Sequence, residues 1–209
     1  MSSSYTSASL NANQRRYRSD LFVAVVCSSN MNRSMEAHNA LQKKGYRVDS
    51  FGTGDKVKLP GPSADKPNCY EFGTTYDSIH ADLSRKDLTM YTQNGILHML
   101  DRNRRIKSAP QRLQNALEQY DLIITAEERV YDQALEFFEA RGADSNQPVH
   151  VVNIDIQDNH EEATIGAFLF CDLMQMLDEA QDLDDEIDEI IQDFEAKCGR
   201  PVLHAIAFY

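Results

Sequence analysis

Cys27, five intervening residues, then Arg33 and Ser34 form the pattern in this chain best equipped to do chemistry. A thiolate is a strong nucleophile, and a guanidinium presents a planar fork that fits two oxygens of a phosphate. Residues 21–26 ahead of Cys27 are an unbroken apolar run, the pattern of a strand buried on both faces. Residues 35–44 behind Arg33 carry Ala37, Ala40 and Leu41 at helical spacing, with Gly45 as a stop. A loop between a strand and a helix N-terminus aims backbone N–H groups at one point, where the helix dipole adds positive potential. Ser28, Ser29, Asn30, Met31 and Asn32 would wrap a phosphate there, with Arg33 folding back onto it. That setting favours the Cys27 thiolate, placed for in-line attack on phosphorus. Ser34 can donate a hydrogen bond to the sulfur, and Asn30 suits a left-handed residue in a tight loop. A bare match to this spacing would be weak; the strand–loop–helix setting makes it specific for a cysteine-dependent phosphatase.

A leaving serine or tyrosine oxygen needs a proton, which a carboxylic acid at another strand end could supply. Residues 151–160 offer Asp155, inside the strand expected over 149–156, and Asp158, in the loop just past it. Asp158 is better placed to reach a substrate. The competing role is to cap the helix that begins near Glu161, and spacing alone balances the two.

The remaining elements must bring these residues together. Residues 46–51 alternate as a second strand, completing a βαβ unit. Residues 55–76, with Pro60-Gly61-Pro62 and Lys66-Pro67-Asn68, read as a hairpin or loop over one end of the sheet. Residues 77–99 read as helix in two pieces, broken near 92–95. Residues 101–105, Asp-Arg-Asn-Arg-Arg, read as a solvated basic turn. Residues 110–119 suggest a short helix, 121–125 and 149–156 strands, and 127–141, 161–177 and 183–197 helices. Residues 202–209 read as a last strand. This alternation gives an α/β, doubly wound, mainly parallel central sheet flanked by helices, with an added hairpin or cap and extra C-terminal helices. Ligands in such sheets bind at the C-terminal strand ends, where Cys27, Thr125 and Ile156 would all lie.

The chain has 209 residues, 42% of them hydrophobic, which suits one phosphatase domain over 20–209 behind a disordered tail over 1–19. Arg15-Arg16-Tyr17-Arg18 in that tail reads as a solvated cluster more readily than as a nuclear-import signal. A formal charge of −12 argues against direct nucleic-acid binding through phosphates. No apolar run is long enough to span a membrane, and residues 1–20 lack the apolar core of a signal peptide. Cys27, Cys69, Cys171 and Cys198 lack the paired spacing of a disulfide framework or zinc ribbon, which fits a reducing compartment. His160-Glu161-Glu162 lacks the second histidine of a zincin site, and Gly52-Thr53-Gly54 lacks the third glycine of a dinucleotide loop.

Cys27-x2-Asn30-x2-Arg33-Ser34, with the βαβ unit through Val48–Thr53, resembles the low-molecular-weight protein tyrosine phosphatases. More extensively, the segments 25–30, 33–38, 58–62, 91–95, 127–132 and 155–163 resemble the eukaryotic phosphatases of the RNA polymerase II C-terminal domain that act in mRNA 3′-end processing. That second resemblance runs from about Phe22 to Tyr209. It implies a nuclear phosphoserine phosphatase acting mainly on the serine at the fifth heptad position, before a cis proline. It assigns Asp158 as general acid, tilting the balance left by spacing, and it assigns Met31, Leu59, Pro60 and Tyr91 to a peptide groove. It implies a symplekin-like scaffold as partner, a prolyl isomerase as helper, and no metal or cofactor. One departure stands out: Asp158 is followed by Asn159 and His160, where the tyrosine phosphatases carry Asp-Pro-Tyr. Two other classes compete: a thiol redox enzyme resembling arsenate reductase, with Cys69 as the mid-chain resolving thiol, and a non-catalytic adaptor.

Overall fold

The structure, a computed structural model, describes residues 17–209, so the expected tail lies almost wholly outside the described residues. Arg18 is already docked, its N–H donating to Gly45 O at 2.9 Å.

Five strands form the main sheet in the order β2-β1-β5-β6-β7. β1 (Phe22–Cys27), β2 (Arg47–Gly52), β5 (Leu122–Thr125) and β6 (Pro148–Ile154) run parallel, and β7 (Val202–Phe208) pairs antiparallel to β6. Every residue of β1 and β5 is buried, as the apolar runs required. Helices α1 (Arg33–Lys43), α5 (His160–Asp178) and α6 (Leu183–Cys198) cover one face, and Leu41, Phe170, Ile187 and Phe194 join its apolar cluster. Helix α4 (Glu128–Arg141) covers the other through Val130, Ala134 and Phe138. The doubly wound, mainly parallel sheet is therefore what the alternation of elements specified.

A third cluster lies over the C-terminal end of β1. It joins a hairpin, β3 (Val57–Ser63) with β4 (Lys66–Tyr70), to α2 (Tyr76–Gln93) and α3 (Ile96–Ile106). Tyr76, Leu83 and Leu100 are fully buried there, and truncating Leu100 to Ala would cost roughly 2–5 kcal/mol. Gly95 at the α2–α3 break has φ +79°, and a Cβ there would sit 2.9 Å from the His160 ring. Glycine is thus required both by backbone conformation and by the close approach of α5.

Two expectations are corrected. Residues 101–105 are not a solvated turn, because α3 continues through Ile106 and buries Leu100 and Asn103. The helix expected over 110–119 is only a single turn of 3-10 helix, Leu113–Asn115. The stretch before it is drawn out against the end of β2, where Gly52 N–H donates to Gln111 O at 2.9 Å.

Candidate active site

Cys27 closes β1, is 3% exposed, and lies 3.0 Å from Ser34 Oγ in the first turn of α1. Asn30 is fully buried at φ +52°, the left-handed conformation its type suggested. Its side chain joins two segments: Nδ2 donates to Ser34 Oγ at 3.1 Å, and Oδ1 accepts from Gln111 N–H at 3.0 Å. The loop is also fixed from the segment just past β2, where Thr53 N–H donates to Cys27 O at 3.1 Å and Gly54 N–H to Ser28 O at 3.0 Å. A Cβ on Gly52 would meet Ser28 O at 2.7 Å, so the loop and β2 touch backbone to backbone. Ser29 Oγ accepts from Lys58 N–H at 3.2 Å, tying the loop to the hairpin.

The Asn30, Met31 and Asn32 carbonyls point outward to side chains of α2 and α3, and Asn32 O also accepts from Glu36 N–H at 2.9 Å. Tyr76 Oη donates to Asn30 O at 2.8 Å. Asn103 Nδ2 donates to Met31 O at 2.7 Å, and Arg102 Nη2 donates to Met31 O at 2.9 Å and Asn32 O at 3.3 Å. The N–H groups of Ser29 to Asn32 find no protein acceptor among the described residues. Burial, then the nearby Cys27, pushes the Tyr76 phenol well above the usual tyrosine value, so it remains a donor.

Arg33 is 5% exposed. Its Nη1 donates to Ala126 O at 3.2 Å and Ile156 O at 2.8 Å, the backbone just past β5 and β6. Nη2 donates to Glu127 Oε2 at 2.7 Å, and Nε lies 3.6 Å from Asp158 Oδ1 without a hydrogen bond among the described residues. Burial works against this cation, but Cys27, Asp158 and Glu127 outweigh it and raise its pKa above the usual arginine value. The carbonyl anchors fix the guanidinium plane and leave the Nε–Nη2 edge, the edge a bidentate oxyanion contact uses, turned to the acidic groups.

Asp158 lies in the loop after β6, largely exposed, and accepts from Asn32 Nδ2 at 2.9 Å. It does not cap α5; Asn159 does, accepting from Glu162 N–H at 2.9 Å. Asp155 lies just past β6, not inside it, and its Oδ1 is taken up by Glu128 N–H at 2.8 Å and Asn153 Nδ2 at 3.0 Å. That leaves Asp158 as the carboxylate facing the loop. His160 bonds Asn94 O at 3.0 Å and ties this segment to the α2–α3 turn.

The four residues assigned to a peptide groove are placed differently from one another. Met31, Leu59 and Tyr91 are packed in the third cluster, 2%, 4% and 1% exposed, while Pro60 is exposed. Asn68 connects two of them, donating from Nδ2 to Pro60 O at 2.9 Å and Tyr91 Oη at 2.7 Å. Pro60 and Gly61 line a shallow depression on the hairpin with Lys58, Ser63 and Pro67. All four cysteines are free thiols, and Cys69 sits exposed on β4. Among the described residues no group of three or more His, Cys, Asp or Glu is placed to hold a metal ion.

Sequence reasoning missed Tyr76, Arg102, Asn103 and Glu127. Glu127 had only the signature of an acidic helix start, and Arg102 was submerged in a charged run. The aromatic at the start of α2 and the asparagine inside α3 carried no local signal of a contact with residues 30–32.

Comparison with known proteins points the same way. A family model described as Ssu72-like protein matches residues 21–209. The RNA polymerase II C-terminal domain phosphatase SSU72 of Danio rerio is 63% identical over 189 residues, covering 90% of this chain and 97% of that protein. The Homo sapiens protein of the same name is 63% identical over 191 residues, covering 91% and 98%. A crystal structure of D. melanogaster Ssu72 with Symplekin holds a cis peptidomimetic of the polymerase C-terminal domain, phosphorylated on the serine at the fifth position. It superposes with TM-score 0.89 at 56% identity, over 91% of this chain and all of that one. A second structure, the serine phosphatase of RNA polymerase II CTD from Drosophila melanogaster, gives TM-score 0.89 at 57% identity with the same coverage.

Proposed function

The chain belongs to the Ssu72-like family, and from that premise we propose that it is a phosphoserine phosphatase of the RNA polymerase II C-terminal domain. Its substrate is phosphoserine at the fifth heptad position with the following prolyl bond cis, the form bound by the Drosophila relative. A cis prolyl peptide is a minor, slowly exchanging species, so a prolyl isomerase would replenish substrate. The partner is a symplekin-like scaffold, and the place of action is the nucleus, where the polymerase tail is found.

The observation that carries the mechanism is the convergence of Cys27, Arg33 and Asp158 at one end of the sheet. The phosphate enters the loop, its oxygens taking the N–H groups of residues 28–33 and the Nε–Nη2 edge of Arg33. The Cys27 thiolate attacks phosphorus in line with the serine oxygen, forming an S–P bond as the P–O bond breaks. Asp158, as the acid, gives its proton to the departing serine oxygen. Water then attacks the cysteinyl phosphate, Asp158 now accepting its proton, and the thiolate leaves with the Ser34 hydroxyl donating to the sulfur. Amides preorganised toward the equatorial oxygens stabilise both transition states.

The redox alternative gains no support, since Cys69 is bonded to Pro67 O at 3.9 Å and to no other thiol. The test is turnover of heptad peptides each phosphorylated at one site, with the prolyl bond locked cis or trans. Selective cleavage of the cis fifth-position peptide is the expected result. Equal cleavage of the trans form would remove the proposed substrate geometry.

A further inference from the structure

We propose that Arg102 is a positioning residue of the phosphatase reaction, holding the amides of the catalytic loop on the phosphate by fixing the carbonyl of Met31 outward and reinforcing that of Asn32. This rests on the phosphatase activity proposed above and adds to it a residue that touches no reacting atom.

The geometry follows from the peptide bond. In a planar trans peptide the C=O of one residue and the N–H of the next point in opposite directions. Holding Met31 O outward therefore aims Asn32 N–H inward, and holding Asn32 O outward aims Arg33 N–H inward. Arg102 Nη2 reaches both carbonyls, at 2.9 and 3.3 Å, and at Asn32 O it joins the Glu36 N–H of α1, which donates at 2.9 Å. Asn103 Nδ2 shares Met31 O at 2.7 Å, and Tyr76 Oη holds Asn30 O at 2.8 Å, which aims Met31 N–H the same way. Side chains from α2 and α3 thus set the Asn30–Met31 and Met31–Asn32 peptide planes, and on the third Arg102 adds to α1's own backbone bond.

Arg102 is itself held. Its Nε donates to Asn103 Oδ1 at 3.0 Å and Nη2 to the same oxygen at 2.8 Å, and Nη1 is paired with Glu36 in α1. Burial lowers the Arg102 pKa from the usual arginine value, and Glu36 opposes that shift. Because Glu36 compensates the charge, Arg102 acts through the direction of its donors more than through added positive potential. The Ile96–Leu100 stretch that presents Arg102 packs with the hairpin in one apolar cluster. The apolar cluster that holds Met31, Leu59 and Tyr91 is therefore also the support of the loop amides.

A small activated aryl phosphate and vanadate test this without the peptide or the acid. Both report on the loop, and a vanadate inhibition constant does not depend on how much of the protein is folded. Arg102→Gln is expected to raise that constant, and to lower kcat on the aryl phosphate, by about tenfold or more, the scale of a lost charged hydrogen bond. Arg102→Lys, which offers a point charge without the fork, should fall between the two. Tyr76→Phe keeps the ring in the core and removes the donor on Asn30 O, with an expected rise of about threefold to tenfold; Arg102→Lys decides the matter should Arg102→Gln not fold. Vanadate constants within about twofold of the parent in folded Arg102→Gln, or in Arg102→Lys where Arg102→Gln does not fold, would overturn the inference. If the parent protein itself fails to hydrolyse the aryl phosphate, the phosphatase assignment falls first and this inference with it.

Discussion

Asn32 donates its side-chain amide to Asp158 Oδ1 at 2.9 Å, so the catalytic loop and the proposed acid are joined across 126 positions of sequence. The bond fixes Asp158 over the mouth of the loop, and no helix cap competes for it, because Asn159 takes that task.

Asp158→Asn should therefore lower kcat on a phosphoserine peptide by about 10²–10⁴, the usual worth of a positioned general acid. On an activated aryl phosphate, whose leaving group needs no proton, the loss should be far smaller. Asn32→Ala, which frees the carboxylate without removing it, should cost about tenfold or less on the peptide. Steady-state kinetics with both substrates checks this; equal losses on the two would make Asp158 structural.

Arg33→Lys should reduce kcat/KM by on the order of a hundredfold or more, since two charge-assisted hydrogen bonds to phosphate are replaced by one point contact. The substitution also strands Ala126 O and Ile156 O, which Nη1 now satisfies. Vanadate affinity measured alongside should fall in parallel. A loss under about threefold in both would show that the guanidinium edge is not the phosphate clamp.

Asn30 combines a left-handed backbone with two side-chain bonds, and two substitutions separate these roles. Asn30→Gly keeps the backbone accessible, whereas Asn30→Ala adds a strain of roughly 1–2 kcal/mol to the same lost bonds. The glycine variant should be the more stable in urea unfolding and the more active. The reverse order would show that the loop does not need its left-handed residue.

His38 should make the fold acid-sensitive. It is buried on α1 against Ser50 Oγ of β2 at 2.9 Å, and burial, then Lys107, lowers its pKa from 6.5 to about 4. The unfolded chain takes up a proton near 6.5 while the folded protein waits until about 4. Stability from this group is thus fully present above about pH 6.5 and is lost as pH falls toward 4, by roughly 3 kcal/mol. Unfolding free energies from about pH 7 to pH 4.5 should show a steeper acid slope in the parent than in His38→Gln. Identical slopes would contradict the assignment.

Much of this site could be read locally, because the chemistry is local. Cys27, Asn30, Arg33 and Ser34 lie within one strand–loop–helix unit, and each type has a reason that needs no tertiary context. Spacing made Asp158 the better placed of two acids but left its roles as acid and as helix cap balanced; the resemblance favoured the acid, and the capping bond of Asn159 and the amide contacts of Asp155 agree with it. Arg102 and Asn103 were not legible at all. A run of Asp-Arg-Asn-Arg-Arg looks solvated, and only the packing of α3 against the loop turns two of its members inward. The 110–119 segment failed for a related reason: its backbone is used by Gly52 and Asn30, which outweighs a weak helical preference. The direction of β7 was equally hidden, since an apolar run is the same whether its partner is parallel or antiparallel.

The proposed mechanism requires Cys27 to carry the phosphoryl group during turnover. Rapid acid quenching during hydrolysis of a fifth-position phosphoserine heptad peptide, followed by peptide mass spectrometry, addresses it directly. One phosphoryl group is expected on the peptide containing Cys27. No adduct and no turnover are expected in Cys27→Ser, although that variant still binds the phosphopeptide. Sustained turnover by Cys27→Ser, or a phosphoryl group found on another residue, would contradict the mechanism.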